Sequence, residues 1–92
     1  MIRRLVKLKF KSDTSNIFVD IFKEKHQQIL SCQGCSHLEV WQDVNDEDSF
    51  FTYSIWDSEE DLNNYRSSVL FNKLWPKVKS LFREKAEVWT LR

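Results

Sequence analysis

The chain has 92 residues, of which 41% are hydrophobic and 14% aromatic, which is enough for a globular core and too much for a disordered chain. At this length we expect one domain spanning residues 1–92, with a core small enough that a partner subunit would add stability. Fourteen basic and fourteen acidic residues give zero formal net charge, so the overall charge favours neither a nucleic-acid partner nor an anionic membrane.

The first half of the chain predicts a strand, a helix and a second strand. Residues 2–10 alternate with the two-residue period of a half-buried strand, and residues 13–31 show a helix start followed by apolar residues at helical spacing. Gly34 is expected to end that helix and lead into a strand over 36–42. The first strand's core face is expected to contain Ile2, Val6, Leu8 and Phe10. We interpret the basic residues of this segment mostly as a solvated face. They are Arg3, Arg4, Lys7, Lys9 and Lys11.

The second half predicts a strand, a divided helical region and a last strand. An acidic turn over 43–48 leads into an aromatic and β-branched strand over 50–56. Helix is expected from about 58 to 82 in two pieces, with a bend or fresh start near Pro76. Residues 86–91 form the last strand. The order βαββαβ predicts a ferredoxin-like α+β fold, with a four-stranded antiparallel sheet and helices on one face.

The boundary between the third strand and the following helix carries clear capping signals. Asp57 has Glu60 three residues later, and Ser58 has Asp61, so either residue could cap the helix. Acidic residues then fill the first helical turn, where they meet the positive end of the helix dipole.

These segments resemble the antibiotic biosynthesis monooxygenase family. The resemblance lies in the aromatic strand that ends at Trp56 and its Asp-Ser-Glu-Glu continuation, and in residues 33–43 with their Gly-Cys pair. It continues through the helix around Trp75 to Trp89, so it spans nearly the whole chain. It implies a dimeric ferredoxin-like α+β barrel with a small-molecule cavity between the sheet and its helices.

The predicted fold leaves one face of the sheet uncovered. Leu5, Trp41 and aromatic residues of the third and fourth strands would be exposed there on a monomer. Monomeric proteins rarely expose an apolar patch of that size, so we expect a homodimer formed face to face through the sheets.

The resemblance also points to candidate site residues. Trp56 could stack on a flat aromatic substrate, Tyr65 could hydrogen-bond a phenolic oxygen or exchange a proton, and Arg66 could stabilise a developing anion. The alternative is that these side chains serve packing and solvation. The candidate catalytic residues are Tyr65 and Arg66, and the candidate substrate-binding residues are Trp56, Tyr53, Phe71 and Trp75.

Some features of the chain depart from the family pattern or allow other chemistry. Many relatives have a histidine where this chain has Tyr65, and the pattern of the haem-degrading branch is absent. Cys32 and Cys35 form a C-x-x-C that follows a helix, which disfavours a thiolate, so buried thiols are expected rather than a redox or metal site. His37 and Glu39 share a strand face and could act as an acid–base relay or as part of a polar dimer seam.

The resemblance implies a cofactor-independent monooxygenase that oxidises a small aromatic, quinol or polyketide-like substrate with dioxygen. The alternatives are a non-enzymatic small-ligand-binding or stress-response dimer, and isomerase or decarboxylase chemistry in the same cavity. No metal, nucleic-acid or membrane partner is expected. Without an apolar run of spanning length or a signal-peptide core, a cytoplasmic location is expected.

Overall fold

The computed structural model describes residues 1–92 and contains four strands and three helices. In chain order they are β1 (Ile2–Lys9), α1 (Ser15–Leu30), β2 (Cys35–Asp43), β3 (Asp46–Trp56), α2 (Glu59–Arg66), α3 (Val69–Lys79) and β4 (Glu87–Leu91). All neighbouring strands pair antiparallel, in the order β2-β3-β1-β4. The predicted ferredoxin-like α+β fold is confirmed. None of the three helices is long and apolar enough to cross a membrane.

The alternation along β1 explains why one face of the sheet is covered by helices. Ile2 and Leu8 are buried on that face, and Phe10, just beyond the strand, is fully buried. The Phe10 ring lies 4.7 Å from the ring of Phe18 on α1 and 5.8 Å from that of Phe50 on β3, measured between centroids. Burial of this apolar cluster is therefore the main force that holds α1 against the sheet.

The hairpin between β2 and β3 is tighter than expected. Only Val44 and Asn45 form the turn, and β3 already begins at Asp46, so the predicted acidic turn over 43–48 is too long. Asp46 can remain in the strand because Ser49 Oγ donates to its carboxylate at 2.8 Å and Lys9 Nζ lies 3.5 Å away. These partners lower the pKa of Asp46, with the Ser49 hydrogen bond as the largest cause.

The second helical region is in two pieces as predicted, but it breaks at Ser67 and Ser68, so the fresh start lies there and not near Pro76. Ser68 caps α3, because its Oγ accepts a hydrogen bond from the backbone N–H of Phe71 at 3.1 Å. Pro76 lies inside α3, where it removes only the N–H that would have bonded the carbonyl of Asn72. The position of the break is thus set by the serine cap rather than by the proline.

The start of α2 is held against the turn that precedes β2. Of the two predicted caps, Ser58 is the one used, and its Oγ accepts from the Asp61 N–H at 3.1 Å. The Asp57 N–H donates to the Gly34 carbonyl at 2.8 Å. Gly34 has a φ of +83°, and a Cβ there would collide with the Asp61 side chain. A glycine is required at this position both for the backbone conformation and for the space.

The face of the sheet opposite the helices, called the open face below, carries large apolar side chains. Leu5 lies at its centre, paired with Tyr53 on β3 and Trp89 on β4. Trp41 is 56% exposed and stacks on Tyr53, and Trp89 is 40% exposed. Leu91 is also exposed. The expected uncovered apolar patch is present.

Candidate functional site

A cavity of about 410 Å³ lies between the helix-facing side of the sheet and the helices. Fourteen of its 18 lining residues are hydrophobic, so the cavity suits a ligand with a large apolar body. The only charged side chains in the lining are two arginines, Arg4 and Arg66. Such a cavity is the arrangement expected for a small-molecule site rather than for a filled core.

Trp56 closes the end of the cavity at the last residue of β3. It is only 1% exposed, and its Nε1–H donates to Ser54 Oγ at 2.9 Å, which satisfies the one polar atom of the indole. Ile2 and Leu62 are the buried residues that pack with it. Trp56 is therefore a core residue that also forms part of the cavity wall, and its stacking on a substrate stays a prediction.

Tyr65 is placed by α2 so that its ring stacks on Trp56. The two ring centroids are 5.0 Å apart with an interplanar angle of 26°. Burial raises the pKa of the Tyr65 phenol well above its usual value, the nearby Cys32 and Cys35 thiols raise it further, and the charge of Arg4 lowers it. The hydroxyl is therefore protonated at neutral pH and is suited to donate a hydrogen bond rather than to act as a base.

The aromatic wall continues along α3. The Phe71 ring meets Tyr65 edge to face at 5.2 Å, and the Trp75 ring stacks on Phe71 at 5.7 Å with an interplanar angle of 10°. Both side chains line the cavity. Four aromatic rings thus follow one another along the cavity wall, and their planes turn by 74° between Tyr65 and Phe71.

Arg66, the last residue of α2, is exposed and lines the cavity, and Arg4 on β1 is half-buried in the cavity wall. Arg4 pairs with Ser54 and Thr90 in the sheet, and its Nη1 donates to Thr90 Oγ1 at 3.3 Å. Burial lowers the pKa of Arg4, and the positive charge of Arg66 lowers it further, while Tyr65 raises it. Two cations therefore face one apolar cavity.

Arg4 is the charged cavity-lining residue that the sequence interpretation missed, because it was assigned to a solvated basic face. The signal was present in the sequence. Strand alternation places Arg4 on the same face as Ile2 and Val6, opposite Arg3. A single cation on an otherwise apolar strand face is the pattern that should have identified it.

Five of the six predicted site residues line the cavity, and Tyr53 does not. Tyr53 lies on the open face between Leu5 and Glu39, whereas its neighbours Thr52 and Ser54 point toward the cavity. Tyr53 therefore faces away from this cavity, because consecutive strand residues face opposite sides of a sheet.

The histidines and cysteines lie outside the cavity lining. His37 Nε2 lies 3.0 Å from Glu39 Oε1 on the open face. His26 is partly buried, and its Nε2 lies 2.9 Å from the Leu38 carbonyl oxygen, which requires the hydrogen on Nε2. Cys32 and Cys35 are free, and burial raises the pKa of both thiols.

The chain shares its fold with several solved structures. A conserved protein from Methanosarcina mazei Go1 superposes with a TM-score of 0.93 at 21% identity, over 99% of this chain and 90% of that one. An antibiotic biosynthesis monooxygenase superposes with a TM-score of 0.92 at 16% identity, over 100% and 97% of the two chains. The Rv0793 protein of Mycobacterium tuberculosis gives a TM-score of 0.90 at 12% identity, over 99% and 92%.

No curated protein matches the sequence. The family model described as antibiotic biosynthesis monooxygenase matches residues 1–75, which include β3 with Trp56, α2 with Tyr65, and the part of α3 that carries Phe71 and Trp75. The match covers most of the chain, and the fold of the solved structures agrees with it. The chain therefore belongs to the antibiotic biosynthesis monooxygenase family.

Proposed function

We propose that the protein is a cofactor-independent monooxygenase that oxidises an electron-rich aromatic compound, such as a quinol or polyketide-like phenol, with dioxygen. The observation that carries the proposal is the cavity itself, which has an aromatic wall and both Tyr65 and Arg66 in its lining. Membership of the monooxygenase family supports the same reaction class.

The first task of the site is to hold the substrate ring. We propose that a planar ring lies against Phe71 and Trp75 in this largely apolar lining. Stacking of this kind fixes the plane of the substrate ring whichever substituents the ring carries. The polar groups at Tyr65 and Arg66 then choose its orientation within that plane.

The second task is to favour the substrate anion, because an electron-rich anion can pass an electron to dioxygen. The cavity lining contains no histidine, aspartate or glutamate, so no lining residue titrates near neutral pH as a base. The site instead selects a substrate already deprotonated, through the charge of Arg66 and a hydrogen bond donated by the Tyr65 hydroxyl. Tyr65 is thus proposed as a donor rather than as a group that takes up the substrate proton.

For an anthrone-like substrate the reaction converts a ring CH2 group to a carbonyl. The carbanion adds dioxygen to give a peroxide, and loss of water then leaves the C=O group. One oxygen atom of dioxygen is retained in the product, and the other leaves as water together with the two hydrogens of the CH2 group. In this scheme the substrate supplies all four electrons that reduce dioxygen.

We also propose that two copies associate through the open face. Leu5, Trp41, Trp89 and Leu91 present apolar surface there, which a second identical sheet would cover. Only 11 of the 92 residues are buried in the single chain, so a partner would add a large share of the buried apolar area. The unpaired thiols Cys32 and Cys35 fit a reducing, cytoplasmic location.

A ligand-binding protein without catalysis is the second candidate. The observation that favours it is the absence of a base in the cavity lining, since the same aromatic wall and arginines would serve binding alone. Turnover of dioxygen separates the two candidates.

The test is dioxygen uptake by the purified protein with a panel of hydroquinones and anthrone-like phenols, corrected for autoxidation. Replacement of Trp56 by alanine is unsuitable, because truncating so buried a tryptophan costs about 3–5 kcal/mol and threatens the fold. Arg66→Met is the better variant, since Arg66 is exposed, and Arg83→Met is its matched control outside the cavity.

Uptake by the wild type and by Arg83→Met, reduced about tenfold in Arg66→Met, would support the proposed reaction at this site. Binding of the panel compounds without uptake above background would make the ligand-binding protein the better description.

A further inference from the structure

The cavity holds more positive charge than the proposed reaction uses. Deprotonation of one phenol or ring CH2 group gives a single negative charge, whereas Arg4 and Arg66 bring two positive charges to the same lining. No acidic residue lines the cavity, and neither arginine forms an ion pair with any carboxylate of the chain. One cation is therefore left without a counter-charge, even with the substrate anion bound.

The placement of Arg4 makes this surplus significant. A solvated lysine or arginine on the outside of a helix needs no partner, but Arg4 is half-buried on the helix-facing side of the central strand β1. Its neighbours along that side are Ile2 and Val6. A charge turned into an apolar wall is costly unless it is paired.

Hydrogen-bonding capacity at Arg4 is also left unused by the protein. A guanidinium carries five N–H donors, and the side-chain hydrogen bond that Arg4 makes is the one from Nη1 to Thr90 Oγ1. The remaining donors are available to a ligand in the cavity. The planar guanidinium fork matches the two oxygens of a carboxylate.

We propose that the substrate of this site is an aromatic hydroxy acid, a ring that carries a carboxylate beside its oxidisable phenol, and that Arg4 binds that carboxylate while Arg66 faces the phenolate. A carboxylate and a phenolate bring two negative charges, which equal the two positive charges of the lining. A phosphate ester beside a phenolate would bring three and leave one unpaired. Arg4 is thus a specificity-determining residue, and the cavity discriminates acidic from neutral aromatics.

This assignment rests on the proposed function for the identity of the cavity as a substrate site, but binding tests it without turnover. The probes are 1-hydroxy-2-naphthoate and its neutral counterpart 1-hydroxy-2-naphthamide, which differ only in the charged group. Calorimetric titration of the full-length protein under anaerobic conditions measures both affinities. The variants are Arg4→Met, Arg66→Met and Arg4→Lys, with Arg83→Met as the control.

The acid should bind the wild type about 10- to 100-fold more tightly than the amide, as expected for hydrogen bonds to charged groups. Arg4→Met should remove most of that preference by weakening the acid far more than the amide, while Arg4→Lys should restore part of it, since it keeps the charge but loses the fork. Added salt should weaken binding of the acid and not of the amide. Thermal unfolding of each variant checks that the fold is retained.

Equal affinity of the wild type for acid and amide, or binding of neither, would overturn the assignment. So would a preference for the acid that persists in Arg4→Met. A charge-dependent preference without dioxygen uptake would leave the assignment in place and remove the proposed reaction. Dioxygen uptake with neutral hydroquinones, but no preference for the acid, would support the proposed reaction and overturn the assignment of the substrate.

Discussion

Replacement of Tyr65 by phenylalanine isolates one oxygen atom in the cavity. The ring stays, and with it the stacking on Trp56 at 5.0 Å and the edge contact with Phe71 at 5.2 Å. The hydroxyl lost is the group proposed to donate to the substrate anion. A hydrogen bond to a charged group contributes about 1.5–3 kcal/mol, so turnover should fall about 10- to 100-fold.

The same substitution should change stability only at alkaline pH. The packing is retained, so the free energy of unfolding at pH 7 should stay within about 0.5 kcal/mol of the wild type. Burial raises the pKa of Tyr65 above its ordinary value of 10.0. In the wild type, the contribution of neutral Tyr65 to the free energy of unfolding is therefore complete below pH 10. It is lost as the pH rises further, because the unfolded chain releases the phenol proton first. Tyr65→Phe lacks this loss.

Dioxygen uptake and urea unfolding measure the two effects in the same preparations. The chain offers a matched control in Tyr53→Phe, since Tyr53 is the only other tyrosine and lies on the open face. All other side chains are common to the two proteins, so the difference between wild type and Tyr65→Phe reports on Tyr65. Turnover of Tyr65→Phe equal to that of the wild type would remove Tyr65 from the mechanism, and parallel pH curves would refute its burial as a neutral phenol.

Three further substitutions test the fold around the site. Gly34→Ala should lower the free energy of unfolding by at least about 2 kcal/mol, because it strains a positive φ and collides with Asp61; an unchanged urea midpoint would contradict this. Ser54→Ala should cost about 1–3 kcal/mol by leaving the Trp56 Nε1–H buried without its acceptor, and a near-UV circular dichroism spectrum and unfolding midpoint identical to wild type would show that the bond is dispensable. Leu5→Glu should convert a dimer to a monomer in analytical ultracentrifugation, and a dimer that survives it would exclude the open face as the interface.

The sequence predicted the fold well because its signals are local. The alternation in β1, the caps before α2 and the glycine at position 34 each act over a few residues, and each agrees with the others. The helix break was misplaced because Pro76 removes a single hydrogen bond, whereas Ser68 can satisfy an N–H and begin a new helix. A breaker residue weakens a helix, but a cap determines where it starts.

The candidate site was less predictable. Residue type suggests a role, but the alternation of side chains along a strand decides which face of the sheet each residue lies on. Tyr53 was chosen for its aromatic ring, and Arg4 was set aside for its charge, yet the pleat of the sheet turns the first away from the cavity and the second into it. The buried Ile2 and Leu8 show which residues of β1 face the helices, and Arg4 is one of them. The pairing of Leu5 with Tyr53 then places Tyr53 on the opposite face.

The two faces of the sheet are linked through β4. All five of its residues are exposed in the single chain, and it is an edge strand that pairs only with β1. Yet Val88 on this strand lines the cavity, while Trp89 and Leu91 belong to the open face. A second copy seated on the open face would bury those two side chains and so hold the strand that forms one wall of the cavity. Leu5→Glu should therefore weaken ligand binding as well as association, although Leu5 does not contact the cavity. A monomeric variant with wild-type affinity for 1-hydroxy-2-naphthoate would show that β4 is stable without a partner.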